Sequence, residues 1–520
     1  MKRKTFIKYS MCALSGILTA TAFSVSSLSF LCFVSLVPLF YTFLNSDKQF
    51  FNAKSVFVYN IFYYIPLTFW LFELYPLTAF GIDEIPSFFL LSLGILLIGF
   101  MESAFMFIAF LPMNTILKGS FFSKKPVKVV IFSLLYILGE NLQEIAGSIA
   151  FPWGRLGVIL FEFTPFIQSS SLFGTLLLSF IILLINGFLA LAVYEFIKNK
   201  TRRIFSLSFY GGIALLIFSL NMGFGIIKMT AEKNTETNIN IAVVQGNLSS
   251  ADKWQASIED TLKLYFNLSE NIINSDTDIV VWPETVVPTV INIDILKEIK
   301  EFTSKYDVTL ITGAFVVVRG SEDYLEYNAM SAIYANGDVS PSYYKQKLVP
   351  FGEYIPLPWL FGNLLSGLEL NLTAGTESTL IPSLNGKIGG LICYESIFPR
   401  IVRRIVNSGA ELIILLSNDS WFGTSPAIRQ HFGQSVLRAV ECGRYFVRAG
   451  NTGISAIITP TGETAVTTAP FIPGAFTGSV AFIQKQTLYS VLGDIILIPS
   501  YAAFLFGAYM FFTLKLKKKR

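Results

Sequence analysis

Two kinds of hydrophobic pattern divide the chain. From residue 6 to about 227, unbroken apolar runs follow one another with short polar gaps, and a last run covers 487–513. A helix needs roughly 20 apolar residues to cross a hydrocarbon core about 30 Å thick. Runs at about 6–25, 27–45, 55–76, 86–111, 127–146, 171–196, 205–227 and 487–513 meet that length, and each is predicted to span a bilayer. Between 230 and 486 the pattern changes to short β-rich runs: "NINIAVVQGN", "DIVVWPE", "VTLITGAFVVV", "NAMSAIYANGDV", "GKIGGLICYE", "ELIILLSND" and "GISAIITPTGET". Gly, Pro, Asn or Asp ends each run. Stretches 255–275, 291–306, 397–408 and 426–443 read as helices between them. Strands alternating with helices predict a layered α/β domain.

Composition sharpens the division. Of 520 residues, 53% are hydrophobic and 14% charged, with a mean hydropathy of +0.58. Soluble domains run near a quarter charged, so the class is membrane protein. The predicted organisation is a membrane domain at 1–229 with about seven helices, an α/β domain at 230–486, and a final span with a basic tail at 487–520. The N-terminus "MKRKTFIKYSMCALSGILTATAF" also has the form of a signal peptide. The apolar runs that follow at once, which those charges would orient, favour a retained first span.

Charge tests the topology separately. Lys2, Arg3, Lys4 and Lys8 precede the first run; Lys48 and Lys54 lie between the second and third. Lys118, Lys124, Lys125 and Lys128 separate the fourth and fifth, Lys198, Lys200, Arg202 and Arg203 the sixth and seventh, and "KLKKKR" closes the chain. The alternate loops are poor in cations: "YPLTAFGIDEIP" is acidic, and 147–170 carries only Arg155. By the positive-inside rule both termini are cytoplasmic and the α/β domain lies on the outer face. The net charge of +4, gathered in these clusters, points to orientation in a bilayer and not to nucleic-acid binding.

Glu73, Glu102, Glu140, Gln143 and Glu144 fall within predicted spans, where lipid exposure is costly. Glu140 and Glu144, one turn apart, line an internal polar pocket or sit hydrated near the outer interface. "FPWGRLG", Phe151 to Gly157, reads as an interfacial or re-entrant loop.

Chemistry is suggested where reactive side chains follow apolar strands. Glu284 follows "DIVVWP", Cys393 follows "IGGLI", and Lys345 lies in "SYYKQKLVPFGEY". A cysteine at a strand-to-helix turn is held exposed, and the first helical N–H groups favour its thiolate. The Tyr394 N–H could face an oxyanion. With His431 the only histidine, Glu284 is the natural base and Lys345 the natural cation. The competing reading makes Cys393 core filler and the two charges solvated surface. Cys12, Cys32 and Cys442 complete the cysteines; a Cys393–Cys442 bridge stays open, and no CxxC or Cys/His cluster suggests zinc.

Five motifs in order, "VVWPET", "YYKQKLVPFGEYIP", "GGLICYESIFP", "LLSNDSWFG" and "RAVECGRYFVRAGNTGISAIITPTGE", resemble the blocks of the carbon–nitrogen hydrolase (nitrilase) superfamily. With the surrounding spans, "QGNLSSADKW" and "FPWGRLG", the whole chain resembles the apolipoprotein N-acyltransferase family. The resemblance implies an αββα sandwich beside a polytopic helical domain of about eight spans in a bacterial inner membrane. It implies Cys393 as nucleophile, Glu284 as general base and Lys345 as stabiliser of the tetrahedral intermediate. Glu353 would support the lysine, Tyr394 and Glu395 would be needed beside the nucleophile, and Trp254 and Trp421 would lie near the acyl-donor and entry loops. Lys347, where some relatives carry His, receives no role. His431 and Cys442 are expected to be structural, and Arg438 and Arg444 to be structural ion-pair partners.

The implied activity is ping-pong acyl transfer from a phospholipid, such as phosphatidylethanolamine, through a Cys393 thioester to the α-amine of a diacylglyceryl-cysteine on an apolipoprotein. It needs neither metal nor organic cofactor. The apolar loop 349–370 would be a lid over the thioester or an interfacial anchor. A membrane-anchored nitrilase-type amidase, resolved by water, is the alternative. A transporter or scaffold carrying an inactive domain is a third reading, against which the three reactive residues argue.

Overall fold

The computed structural model describes residues 2–45, 51–232, 236–248, 257–320, 323–356, 358–361 and 371–517. The chain forms two compact units, Met1–Lys228 with Leu492–Arg520, and Met229–Val491.

In the first unit, seven helices among the described residues are long and apolar enough to cross a membrane: Arg3–Ser24, Ser26–Leu44, Asn52–Leu74, Glu84–Ile116, Thr175–Lys198, Arg203–Glu232 and Leu497–Leu516. The remaining predicted span, 127–146, is the helix Lys125–Glu144, which carries Lys125, Lys128, Glu140 and Glu144 and falls outside that apolar class. The polar groups of its C-terminal half are covered by protein: Glu140, Asn141, Gln143 and Glu144 are all buried. Of the two readings for Glu140 and Glu144, the internal one holds. Glu140 Oε1 accepts the N–H of Leu156 at 2.9 Å, Glu144 pairs with Arg155, and Tyr63 donates to the carbonyl of Gly154 at 2.9 Å. These bonds pin the "FPWGRLG" segment as short helical turns in the interior, satisfying backbone that could not otherwise leave water.

In the second unit, a seven-stranded and a six-stranded sheet carry the site. The strands are β1 (Ile239–Gln245), β2 (Ile279–Val281), β3 (Val287–Val290), β4 (Thr309–Arg319), β5 (Tyr324–Ile333), β6 (Tyr343–Tyr344), β7 (Leu380–Ser383), β8 (Gly386–Ile392), β9 (Leu412–Ser417), β10 (Phe446–Gly450), β11 (Ala456–Ile458), β12 (Thr464–Thr467) and β13 (Gly474–Val480). The first sheet runs β13-β1-β2-β4-β5-β6 with β3 beside β4; the second runs β12-β11-β10-β9-β8-β7. Parallel strands form each centre, β1-β2-β4 and β8-β9-β10, β3 also lies parallel to β4, and the remaining strands pair antiparallel at the margins. Val/Ile/Leu runs at β2 and β9, buried throughout, fit strands covered on both faces.

Helices cover both outer faces. Ile258–Glu270 and Ile293–Tyr306 pack on the first sheet through a core of Leu262, Tyr265, Trp282, Ile299 and Phe302. Both start on side-chain caps, Ser257 accepting from Asp260 N–H and Asn292 from Ile295 N–H. Pro399–Asn407 and Ala427–Cys442 lie in the second half, the latter stopped by Gly443 at φ 61°. The glycine pair before the cysteine marks how closely these layers stack. A Cβ on Gly390 would meet Met330 Sδ at 2.9 Å and Tyr343 at 3.1 Å on the opposite sheet, and one on Gly389 would strike Ile405 of a covering helix. The result is a helix–sheet–sheet–helix sandwich, the fold that the sequence motifs implied.

Candidate active site

Each candidate side chain leaves the end of a strand. Glu284 follows β2, Lys345 follows β6, and Cys393 follows β8. β2 and β6 belong to one sheet and β8 to the other, so the site forms where the strand ends of the two layers meet.

Lys345 is the hub. Its buried Nζ lies 2.8 Å from Glu353 Oε1 and 3.2 Å from Glu284 Oε1. Burial works against the ammonium, yet Glu284 and Glu353 outweigh it and hold Lys345 above the usual lysine range. Asn328, on β5, donates from Nδ2 to both carboxylates, at 2.8 Å to Glu284 Oε1 and 3.0 Å to Glu353 Oε1. The other oxygen of Glu284 accepts the Asn418 N–H at 2.9 Å, and the other oxygen of Glu353 accepts the Val349 N–H at 2.8 Å. Donors on both oxygens, the lysine among them, fix the orientation of each acid.

Cys393 sits at φ 50°, in the left-handed region that costs a non-glycine residue about 1–2 kcal/mol. The turn that follows, Cys393–Ile397, is 3-10 helical, so the sulfur points off a sharp strand-to-helix corner. The residue keeps some exposed surface. Burial pushes its thiol up to about 12; Glu284 adds to that, and Lys345 opposes it. The sulfur therefore lies within the electrostatic reach of both candidate partners, and holds its proton at neutral pH until a base takes it.

Glu395 ties the two sheets. Its Oε2 accepts the Ile392 N–H at 2.7 Å, its Oε1 accepts the Gln346 N–H at 2.6 Å, and the Tyr343 hydroxyl lies 2.9 Å from both. Burial lifts this carboxyl to about 7, although the Ile392 and Gln346 N–H groups pull the other way. Tyr394 is buried with its ring edge-on to Phe398 at 5.2 Å. Trp421 is half-exposed on the turn Ser420–Phe422 directly after Asp419. Trp254 lies outside the described residues, as do 357 and 362–370 of the proposed lid.

The four cysteines are free thiols. Arg438 pairs with Glu441 at 2.7 Å. Arg444 differs from expectation: it donates to the carbonyls of Ala410 at 2.9 Å and Lys485 at 2.6 Å instead of pairing with an acid. Its guanidinium ties the carbonyls of separate loops, a job for which a planar fork of donors suits. Lys347 places its ammonium 5.0 Å from the Phe398 ring centroid.

His431 has a position that its helical sequence context concealed. Nε2 lies 2.9 Å from Ser396 Oγ and 3.2 Å from the Cys393 carbonyl, while Nδ1 lies 2.9 Å from Asp419 Oδ1. Asp419 in turn accepts from Ser417 and Arg448. A sulfur, a carboxylate oxygen and a ring nitrogen of Cys393, Asp419 and His431 all fall within 4.8 Å of one another. That spacing is open to a metal ion, but each ring nitrogen is already engaged in the protein's own hydrogen bonds.

A buried Glu–Lys–Cys set on a two-sheet sandwich defines the carbon–nitrogen hydrolase class. The family described as carbon-nitrogen hydrolase matches residues 240–484, and that described as apolipoprotein N-acyltransferase N-terminal domain matches 15–188. Relatives called apolipoprotein N-acyltransferase include one from Geobacter metallireducens, 28% identical over 94% of this chain and 92% of its own. One from Rickettsia prowazekii is 34% identical over 66% of this chain and 68% of its own, and one from Gloeobacter violaceus 30% identical over 83% and 80%. Among solved structures, an amidase from Nesterenkonia sp. covers 48% of this chain and 93% of its own at 16% identity and a TM-score of 0.36. The chain belongs to the apolipoprotein N-acyltransferase family, and it is a multi-pass membrane protein.

Proposed function

We propose that this protein transfers an acyl chain from a phospholipid, phosphatidylethanolamine among the candidates, to the α-amine of a diacylglyceryl-cysteine at an apolipoprotein N-terminus. Glu284 takes the proton of Cys393 as the sulfur attacks the donor's ester carbonyl. Lys345 stabilises the negative charge that builds on that oxygen, and Glu353 and Asn328 keep the ammonium in place. The ester C–O bond then breaks, Glu284 returns the proton to the departing lysophospholipid alkoxide, and a Cys393 thioester remains. In the second half the acceptor amine attacks the thioester. Glu284 accepts a proton from the amine and passes it to the leaving thiolate, so the amide leaves and the thiol is restored.

One observation carries this reading. A buried ammonium is bonded to two carboxylates beside a strained, partly exposed cysteine, in a chain with membrane-spanning segments. The strain favours nucleophilic duty, since core filler has no reason to hold a left-handed backbone. The loop charges support a bacterial inner-membrane location with both termini cytoplasmic and the sandwich periplasmic, counting Lys125–Glu144 as a span. The amidase alternative predicts hydrolysis of the same acyl-enzyme. Purified protein given labelled phosphatidylethanolamine and a diacylated lipopeptide should yield the N-acylated peptide by mass spectrometry, and Cys393→Ala should yield none. Release of free fatty acid with no acylated peptide would favour the amidase.

A further inference from the structure

An open apolar groove lies between three helices of the membrane unit, Ser26–Leu44, Thr175–Lys198 and Arg203–Glu232. Its volume is about 380 Å³, and its walls include Val37, Pro38, Leu189, Val193, Leu207 and Gly211. Local structure accounts for the gap. Ser26–Leu44 is not one continuous α-helix: 3-10 turns over Ser26–Phe33 give way to an α-helix at Val37–Leu44, with Pro38 in its first turn. That change of winding falls at the groove wall. On the facing helix, a Cβ added at Gly211 would meet nothing within 4 Å. Glycine inside a helix costs backbone entropy, and here it leaves the space unfilled. Val34, Val193 and Leu207 present exposed side chains there, a surface suited to hydrocarbon.

Two of these helices meet at a cluster of cations. Lys198, Lys200, Arg202 and Arg203, all exposed, end Thr175–Lys198, form the turn after it and start Arg203–Glu232. At 1.5 Å per residue, Leu207 and Gly211 lie roughly 6 and 12 Å along the helix from Arg203, and Val193 roughly 8 Å from Lys198. The groove therefore begins one to two turns from the charges. Glu195 is the only acid between residues 163 and 231, and it pairs with Lys125 at 2.5 Å. Among the described residues, no carboxylate forms an ion pair with any of the four cations. Arg203 rests 5.6 Å from the Phe196 ring centroid. The start of the 30-residue helix Arg203–Glu232 adds its own positive end.

We propose that the groove and the cations beside it hold one anionic phospholipid, an acyl chain in the groove and the headgroup phosphate on the cluster. Both halves of the site are needed to name the class. Hydrocarbon walls accept any chain, but uncompensated cations at a helix end select a net negative headgroup. A zwitterionic headgroup brings its own ammonium into the same cluster. A second copy of this chain fits less well, because a two-fold contact through the groove would set eight cations against one another. No side chain named in the walls carries a nucleophile, so the bound lipid is not an acyl donor. It stabilises the folded helices by mass action. On the orientation proposed above its headgroup lies in the cytoplasmic leaflet, although binding itself does not depend on that orientation.

Photolabelling tests both halves. Full-length protein in detergent micelles is irradiated with phosphatidylglycerol or phosphatidylethanolamine, each bearing the same diazirine-labelled acyl chain, and labelled peptides are mapped by mass spectrometry. Phosphatidylglycerol should label peptides containing Leu189–Val193 or Leu207–Gly211 at a concentration roughly tenfold or more below that needed for phosphatidylethanolamine. Arg202→Gln combined with Arg203→Gln should erase that preference. Gly211→Leu, which fills the groove, should cut labelling there by either lipid roughly tenfold. Thermal melting in detergent checks that the variants fold; if either does not, the parent's comparison of the two lipids decides alone. Equal labelling by both lipids, label confined to other segments, or a preference that survives in the folded double variant would overturn the proposal. So would a parent that runs as a dimer with the groove unlabelled. Acyl transfer is not the readout, so failure here and failure of the proposed function remain separate results.

Discussion

Glu395 and Gln346 are joined by a 2.6 Å hydrogen bond from backbone N–H to carboxylate, and the same carboxylate holds Ile392 at 2.7 Å. Ile392 ends β8 in one sheet; Gln346 comes just after Lys345 and β6 in the other. One side chain thus sets the spacing between the ammonium and the sulfur. Glu395→Gln replaces an oxygen acceptor with a donor facing an N–H, and the strands should part there. A displacement of about 1 Å costs on the order of a hundredfold in rate. Acyl transfer by this variant should fall by about that factor in kcat, with Glu395→Asp, too short to span the gap, falling comparably.

The same residue should leave a mark on stability. Its folded value of about 7 stands above the ordinary 4.5, chiefly through burial. Between those values the folded chain binds more protons than the unfolded one, so this group's contribution is favourable below pH 4.5 and is lost as pH rises through 7. The full swing is on the order of 3 kcal/mol. Thermal unfolding of parent and Glu395→Gln in detergent, compared across pH 4 to 8, should show the parent losing ground to the variant as pH rises. Parallel curves would contradict it.

Removing the Lys345 charge leaves Glu284 and Glu353 buried and facing each other. Lys345→Met should abolish product formation and lower stability by about 3–5 kcal/mol, the range for breaking a buried ion pair on one side. The pair Lys345→Met with Glu353→Gln should regain much of that stability while staying inactive. Melting temperature and turnover, measured together, separate the two effects.

The left-handed turn at Cys393 inverts a familiar order. Glycine in place of alanine normally costs about 0.5–1 kcal/mol of backbone entropy. At φ 50° alanine keeps the strain and glycine does not. Cys393→Gly should melt no lower than Cys393→Ala, and both should form no thioester.

Asn328 bonds both carboxylates through one nitrogen. Asn328→Asp would set a third carboxylate against them and compete for Lys345. We expect a loss of roughly a hundredfold in kcat, the scale of removing one preorganised donor, with Asn328→Ala milder in stability. Steady-state rates on the labelled lipid will decide.

The spans were legible because length and apolarity act locally: 86–111 was expected and Glu84–Phe110 forms. The Lys125–Glu144 helix is legible too, but the sequence leaves Glu140 and Glu144 open to two readings, since their partners Leu156 and Arg155 come from a later loop. The strands before Glu284 and Cys393 stood out as continuous apolar runs. β6, β7, β12 and β13 did not, being short or polar at the sheet margins; "GAFTGSV" has no clear alternation to read. Among site residues, Asn328 lies inside an ordinary strand and looks like a turn former there. The helical context of His431 points to a structural residue, and only the register of Ala427–Cys442 against the Cys393 turn reveals what its ring touches. Contacts between distant segments were invisible; motif order was not.

β1 and β13 pair antiparallel along their whole length, with Ile239 opposite Val480. The sandwich therefore begins and finishes on neighbouring threads of one sheet edge, so the polypeptide comes in and goes out at a single doorway. An anchor could be spliced to either thread during evolution without rerouting anything inside. A break elsewhere in the sandwich would leave that doorway closed, whereas loss of β13 would strip β1 of its outer neighbour.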